Sequence, residues 1–263
     1  MKDVLEEIVA HKRIEVAGQK EQVPARQLYA VVEKMMAEGV EGRSMSKALS
    51  EDAHGIIAEF KRKSPSKGWI KEEGRPEVIP PSYQQNGAAA LSILTDEEYF
   101  GGSMDFVRTA RPLVSIPILR KDFIIDEYQL FQASQIGADA VLLIAADLKK
   151  QEVKTLTALA HELKLEVLLE MHSPQELDYA ELDVDMLGIN NRNLGTFETD
   201  VNNSFQLIER LPAEGVKVSE SGISDPDTIR QLRACGYKGF LIGETFMKEA
   251  DPGLALKNFI AQI

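Results

Sequence analysis

The sequence predicts a (β/α)8 barrel, the TIM-barrel fold class, with extra helices at its N-terminal side. Three observations carry that expectation. Eight short runs rich in apolar and β-branched residues follow one another from residue 56: 56–61, 88–94, 116–121, 140–145, 166–170, 186–190, 216–221 and 239–243. They recur about every 26 residues, close to the length of one strand–helix unit. Helix-like segments separate them, so the strands run parallel, and eight such units in roughly 210 residues suit a closed barrel. An open doubly wound sheet would use fewer strands and usually a glycine fingerprint, and neither Gly-x-Gly-x-x-Gly nor Gly-x-x-x-x-Gly-Lys occurs.

Each element has a local reason. Residues 1–50 read as a helical extension: Leu28, Val31, Val32, Met35 and Met36 fall at three-to-four spacing, and Val4, Leu5, Ile8 and Val9 repeat the pattern. Residues 51–263 form the barrel, and the whole chain, 1–263, reads as one domain. Asp126–Ile136 is a helix stopped by Gly137, and 150–163 carries Val153, Leu156, Leu159 and Leu163 on one face. Asp225-Pro226 opens another helix, which Gly236 follows. Pro80-Pro81 delays the first barrel helix to near Pro81.

Composition narrows the function. The chain of 263 residues has a net charge of −12, which opposes generic binding to a nucleic-acid backbone but not a local site for a small anion. Its single cysteine, Cys235, forms no intrachain disulfide and fits a reducing compartment; it is expected to be packed or inert. The four histidines are scattered, with no Cys/His spacing of a metal site. The start shows no apolar signal core, and no apolar run approaches the ~20 residues that span a bilayer. The expectation is a cytoplasmic protein with no nucleic-acid or membrane partner.

Barrel chemistry sits at the C-terminal ends of the strands. There the runs end in Glu59 and Lys61, Lys121, Glu170, Asn190 and Arg192, Ser221-Gly222, and Gly243-Glu244. Residues two apart in a strand share a face, so Glu59 and Lys61 project together with Ile57. Glu170 and Lys121 each end an apolar approach in a charge, an arrangement that is costly unless the charge is paired or used. One such residue is ordinarily an ion-paired strand end; their convergence on one barrel mouth favours a site. Glycines after the last two runs suit a phosphate, because loops after strands seven and eight are the usual barrel phosphate site. The segment Ser64-Pro65-Ser66-Lys67-Gly68 reads as a flexible polar loop, His172 as a loop residue near the mouth or, by preference, at the surface, and Trp69 as a loop residue that either meets an aromatic ligand or covers apolar surface.

The motif Ile56-Ile57-Ala58-Glu59-Phe60-Lys61-Arg62-Lys63-Ser64-Pro65-Ser66 closely resembles the first-strand signature of the indole-3-glycerol-phosphate synthases. Leu91-Ser92-Ile93-Leu94-Thr95-Asp96, Leu119-Arg120-Lys121-Asp122-Phe123, Gly188-Ile189-Asn190-Asn191-Arg192-Asn193-Leu194 and Ser219-Glu220-Ser221-Gly222-Ile223 continue the likeness in family order. The resemblance implies closure of carboxyphenylaminodeoxyribulose phosphate to indole-3-glycerol phosphate with loss of CO2 and water, in tryptophan biosynthesis. It implies no cofactor and helices beside the barrel mouth. Separately, a monomer or weak homo-oligomer is expected. Lys121 resembles the acid that protonates the substrate ketone, Glu170 the acid/base of dehydration, and Lys61 the partner of the substrate carboxylate and a later proton donor. Glu59 and Asn190 resemble residues that hold the lysines and substrate hydroxyls. Arg192 and Ser64 resemble substrate anchors, and Phe123, Leu142 and Ile144 the apolar lining. Ser221, Gly222, Gly243 and Glu244 match phosphate positions, Glu244 through its backbone N–H alone.

Two other readings remain open at this stage. A sugar-phosphate isomerase would also be a phosphate-binding barrel, but such enzymes generally place Cys or Asp at the end of the first strand, where this chain has Glu59 and Lys61. A non-catalytic ligand-binding barrel would most cheaply show itself by losing a catalytic lysine or glutamate, and all are present.

Overall fold

The eight apolar runs form parallel strands that close on themselves. The computed structural model describes residues 4–39, 42–193 and 198–263; residues 1–3 and Leu194, the last residue of its motif, lie outside these. The barrel strands are β1 (Ile56–Phe60), β4 (Ala90–Leu94), β5 (Ile118–Lys121), β6 (Ala140–Ile144), β7 (Glu166–Met171), β8 (Met186–Asn190), β9 (Val216–Glu220) and β10 (Gly239–Ile242). Closure is visible at β1, which pairs Ile57 with Ala90 on one side and with Leu241 on the other. Helices α1 (Val4–Gln22), α2 (Ala25–Ala37) and α3 (Met45–Glu51) come first. Around the barrel lie α4 (Ile79–Gln85), α5 (Met104–Ala110), α6 (Glu127–Ile136), α7 (Lys150–Glu162), α8 (Asn202–Leu207), α9 (Pro226–Cys235), α10 (Glu244–Met247) and α11 (Pro252–Ile260). A 3-10 segment, Pro174–Glu181, follows β7. Among the described residues no helix is long and apolar enough to cross a membrane.

Strand alternation divides the core into two layers. Ile57, Leu119, Leu142, Leu168, Val218 and Leu241 fill the barrel interior, while Ile56, Ala58, Leu91, Val141 and Phe240 face the helices. Both faces are buried, which is why the strands read as continuous apolar runs rather than as alternating patterns. The inward series continues past the apolar residues: Ile57 to Glu59, Leu168 to Glu170, Val218 to Glu220. The site is built on these continuations.

The helix signals hold. Asp126 caps α6 and Gly137 ends it at φ +83°; Asp225 caps α9 and Gly236 ends it. Helix α4 begins at Ile79, so Pro80 and Pro81 occupy its first turn, where a missing N–H is harmless.

Four expectations change. Only α1 stands at the mouth. Helix α2 packs on α6, with the Tyr29 ring stacked on Phe131 at 3.8 Å, and α3 plugs the opposite end, where fully buried Met45 and Leu49 join the inner layer and Leu49 lies under Gly239. The loop 64–68 is a hairpin: β2 (Lys63–Ser64) pairs antiparallel with β3 (Gly68–Trp69), and Gly68 at φ +67° supplies the tight turn. Trp69 folds back over this hairpin, 5.3 Å from Arg62 and 5.7 Å from Lys63. Cys235 is exposed, since α9 buries Ile229 and Leu232 and its last turn clears the core.

Candidate active site

At the C-terminal ends of the strands lies a cavity of about 520 Å³, of the size that holds a small organic ligand. Glu59, Lys61, Lys121, Phe123, Leu142, Ile144, Glu170, Asn190, Arg192, Ser221, Gly222, Gly243 and Glu244 all line it. Ser64 does not: it is buried in the hairpin opposite Gly68, and the tip residues Pro65, Ser66 and Lys67 face the cavity instead. Val4, Leu5 and Ile8 of α1 add an apolar wall that the sequence reading did not assign.

Lys121 is the centre of the charge cluster. Its Nζ donates to Glu170 Oε2 at 2.8 Å and to Glu220 Oε2 at 2.7 Å. Burial pushes the lysine pKa down, but Glu170, Glu220 and Glu59 outweigh it, so Lys121 is held as a cation. Glu170 is buried, which favours its neutral form, yet Lys121 and His172 pull its pKa well below the ordinary carboxylate value. For Glu220 burial prevails: despite Lys121, and with Glu170 adding like charge, its pKa rises to about 7. Its second oxygen, Oε1, has no hydrogen-bond partner, consistent with a carboxyl that carries a proton near neutrality. Beside this cluster Lys61 Nζ lies 2.6 Å from Glu59 Oε1.

Glycines make room for these acids. A side chain at Gly188 would run into the Glu220 carboxylate, and one at Gly243 into Glu59. Gly243 therefore serves the acid–base cluster as well as the loop to which the sequence reading assigned it. At the end of β9, Ser221 sits at φ +67° and Gly222 at +75°. A left-handed serine is strained, and such strain concentrates at functional sites.

The rim carries cations. Arg192 donates from Nη1 to Ser66 Oγ at 3.4 Å and from Nε to Thr199 Oγ1 at 3.2 Å. The Glu244 carboxylate turns toward Lys67 and Arg192, 3.8 Å from each, and Lys248 also lines the cavity. Asn190 is held by its own turn, its side-chain oxygen accepting the Arg192 N–H at 3.0 Å. Among the described residues no group of three or more His, Cys, Asp or Glu side chains is arranged to hold a metal.

Two members of the charge cluster are unassigned from the sequence. Glu220 ends a strand run as Glu59 does, two residues past inward Val218, so alternation alone marked it. His172, expected at the surface, has a side chain only 9% exposed, with Nε2 3.0 Å from Glu170 Oε1. It stands two residues beyond Glu170, the spacing that joins Glu59 to Lys61.

The fold and the cluster together define a barrel enzyme with acids and lysines gathered at its strand-end mouth. The family model described as indole-3-glycerol phosphate synthase matches residues 5–259, so the chain belongs to that family. It is similar to "Indole-3-glycerol phosphate synthase" of Bacteroides thetaiotaomicron, 60% identical over 263 residues and covering 100% of both chains. It is 42% identical to that of Laribacter hongkongensis (99% of this chain, 100% of the other) and 43% to that of Chromobacterium violaceum (100% of each). Solved structures share the fold alone. Tryptophan synthase subunit alpha from Legionella pneumophila matches with a TM-score of 0.60 at 15% identity, covering 85% of this chain and 100% of that one. The 3-hexulose-6-phosphate synthase from Salmonella typhimurium matches with 0.60 at 13%, covering 79% and 99%.

Proposed function

We propose that the chain is an indole-3-glycerol-phosphate synthase of tryptophan biosynthesis. It converts 1-(2-carboxyphenylamino)-1-deoxyribulose 5-phosphate to indole-3-glycerol phosphate, CO2 and water. The observation that carries this reading is Lys121, a cation fixed between Glu170 and Glu220 on the cavity floor, facing the Glu59–Lys61 pair.

The chemistry follows from those groups. The ring carbon bearing the carboxylate attacks the ketone carbon, and the developing negative charge on the ketone oxygen takes a proton from Lys121. CO2 then leaves with its bonding pair directed into the ring, restoring aromaticity. The new hydroxyl leaves as water on a second proton. Glu220, with a pKa of about 7, can return protons to Lys121 across their 2.7 Å contact. Glu170, ionised at the outset, fits the base that takes the final proton from the former methylene carbon. Two protons enter and one leaves, which balances the loss of the substrate carboxylate as CO2. Glu170 is thus better suited to accept a proton in the dehydration sequence than to start as its acid.

Lys61 is free on one side of Glu59 to meet the substrate carboxylate, and Arg192, Lys67 and Lys248 supply positive charge at the rim of a chain of net −12. The left-handed turn at Ser221 and Gly222, with the loop at Gly243 and the Glu244 N–H, is the proposed phosphate cradle. Phe123, Leu142 and Ile144 receive the aromatic ring, joined by Leu5 and Ile8 of α1. The exposed thiol of Cys235 suits the reducing cytoplasm, where we place the enzyme as a monomer or weak homo-oligomer. Incubating purified protein with the anilino-deoxyribulose phosphate, with and without chelator, and following indole fluorescence with CO2 release tests the reading. Both products should appear in either condition; a folded sample yielding neither contradicts it.

A further inference from the structure

Glu170 meets a different cation at each oxygen. Oε2 takes Lys121 at 2.8 Å, and Oε1 faces His172 Nε2 at 3.0 Å. Behind the imidazole stands Glu176, 3.5 Å from Nδ1. Glu176 is itself pinned, accepting the His172 backbone N–H and the Ser173 hydroxyl, each at 2.7 Å. Each ring nitrogen faces a carboxylate oxygen, whereas a neutral imidazole carries only one N–H to offer. The ring is therefore held between two acids, in a place nearly closed to solvent. A neutral imidazole would be held weakly there; an imidazolium is attracted from both sides.

We infer that His172 is a positioning residue for this reaction: as an imidazolium clamped by Glu176, it holds Glu170 ionised and facing the cavity. The inference rests on the role proposed for Glu170 and adds the pair that sets it. Lys121 alone cannot fix Glu170, because it is shared with Glu220 and gives up its proton during turnover. His172 contacts the oxygen that Lys121 leaves free, so Glu170 stays anchored while Lys121 is neutral.

The titration supports this geometry. Burial lowers the His172 pKa, but Glu170 and Glu176 raise it further, to about 9. The charged groups facing the ring are Glu170 from β7 and Glu176 from the following 3-10 segment; Lys121 of β5 and Glu220 of β9 lie beyond Glu170. Helix α8 brings only the neutral amide of Asn203, to the His172 carbonyl, at 3.1 Å. Above about pH 9 the ring loses its charge and kcat should fall.

The test compares kcat and KM of the full-length wild type, His172→Gln and Glu176→Gln from about pH 6 to about pH 10. Wild type should show an alkaline limb in kcat near pH 9. His172→Gln should lose about 10-fold in kcat at neutral pH, with KM within about 2-fold, and show no such limb. Glu176→Gln should move the limb to lower pH, because the outer carboxylate no longer holds the proton. NMR titration of the His172 ring, read without turnover, should give the same ordering of wild type and Glu176→Gln. A purely structural histidine would lower thermal stability without moving the limb. Superimposed profiles in a wild type that turns over, or a His172 that titrates at its ordinary value, overturn the inference alone. A wild type that makes no product overturns the proposed reaction and the inference with it.

Discussion

Glu220 reaches Lys121 across the full width of the barrel. Lys121 ends β5 and Glu220 ends β9, strands that stand opposite each other in the ring of eight, yet their side chains meet at 2.7 Å over the cavity floor. Lys121 is thus tied to the far wall as well as to Glu170 in β7, and its ammonium is centred rather than resting on its own strand. A cation in that place is pre-positioned for charge that develops on a substrate bound over it.

The raised Glu220 pKa has a stability signature. From the ordinary carboxyl value up to about 7, the folded chain holds a proton that the unfolded chain has lost. This contribution is complete below the ordinary value and disappears as pH rises through about 7. Glu220→Gln should therefore flatten the decline in stability between about pH 5 and about pH 8, read from urea midpoints. It should also remove a kcat ionisation near pH 7. An unchanged slope and an unchanged profile would mean that Glu220 is ionised throughout.

Gly243→Ala should damage activity more than folding. The added methyl would meet the Glu59 carboxylate, whose pairing with Lys61 at 2.6 Å would have to shift. We expect about a 10-fold or greater loss in kcat/KM, since small misplacements of catalytic groups cost up to about 100-fold. Gly188→Ala should act likewise through Glu220. Steady-state kinetics beside a thermal melt separates the two effects.

Lys12 fastens the mouth helix to the barrel. This fully buried lysine of α1 contacts Glu15 at 2.7 Å, Asp96 at 2.9 Å and Asp122 at 3.0 Å, and Arg120 joins Asp122 at 2.9 Å. Burial raises the Asp122 pKa, but Arg120 and then Lys12 bring it down to about 2. That stabilisation is present above the ordinary aspartate value and is lost as pH falls through about 2. Lys12→Met should destabilise the chain by ~3–5 kcal/mol, because it leaves buried acids short of a partner. Chemical denaturation at neutral pH measures it.

Much of this was legible in the residues because a barrel obeys two simple periods. Strand positions could be read within two residues or so, since runs buried on both faces are continuous and apolar. Glu59, Lys61, Lys121 and Glu170 stood out as charges ending such runs. Glu220 and His172 obey the same alternation, but Glu220 precedes a serine-glycine turn and His172 lies just past the end of its strand, so their burial and partners depend on packing that strand periodicity does not encode. The hairpin at 63–69 escaped notice because its two-residue strands are too short to show a period. The placements of α1, α2 and α3, and the Lys12 cluster, depend on contacts distant in sequence, which helical periodicity does not encode.

Lys121, held as a cation across the barrel, is proposed to protonate the ketone oxygen during ring closure. Lys121→Met tests it most directly, assayed with the anilino-deoxyribulose phosphate for indole and CO2, with circular dichroism to confirm the fold. The variant should fold and lose about 1000-fold or more in kcat, in line with removal of a pre-positioned donor. Turnover close to that of the wild type would contradict it.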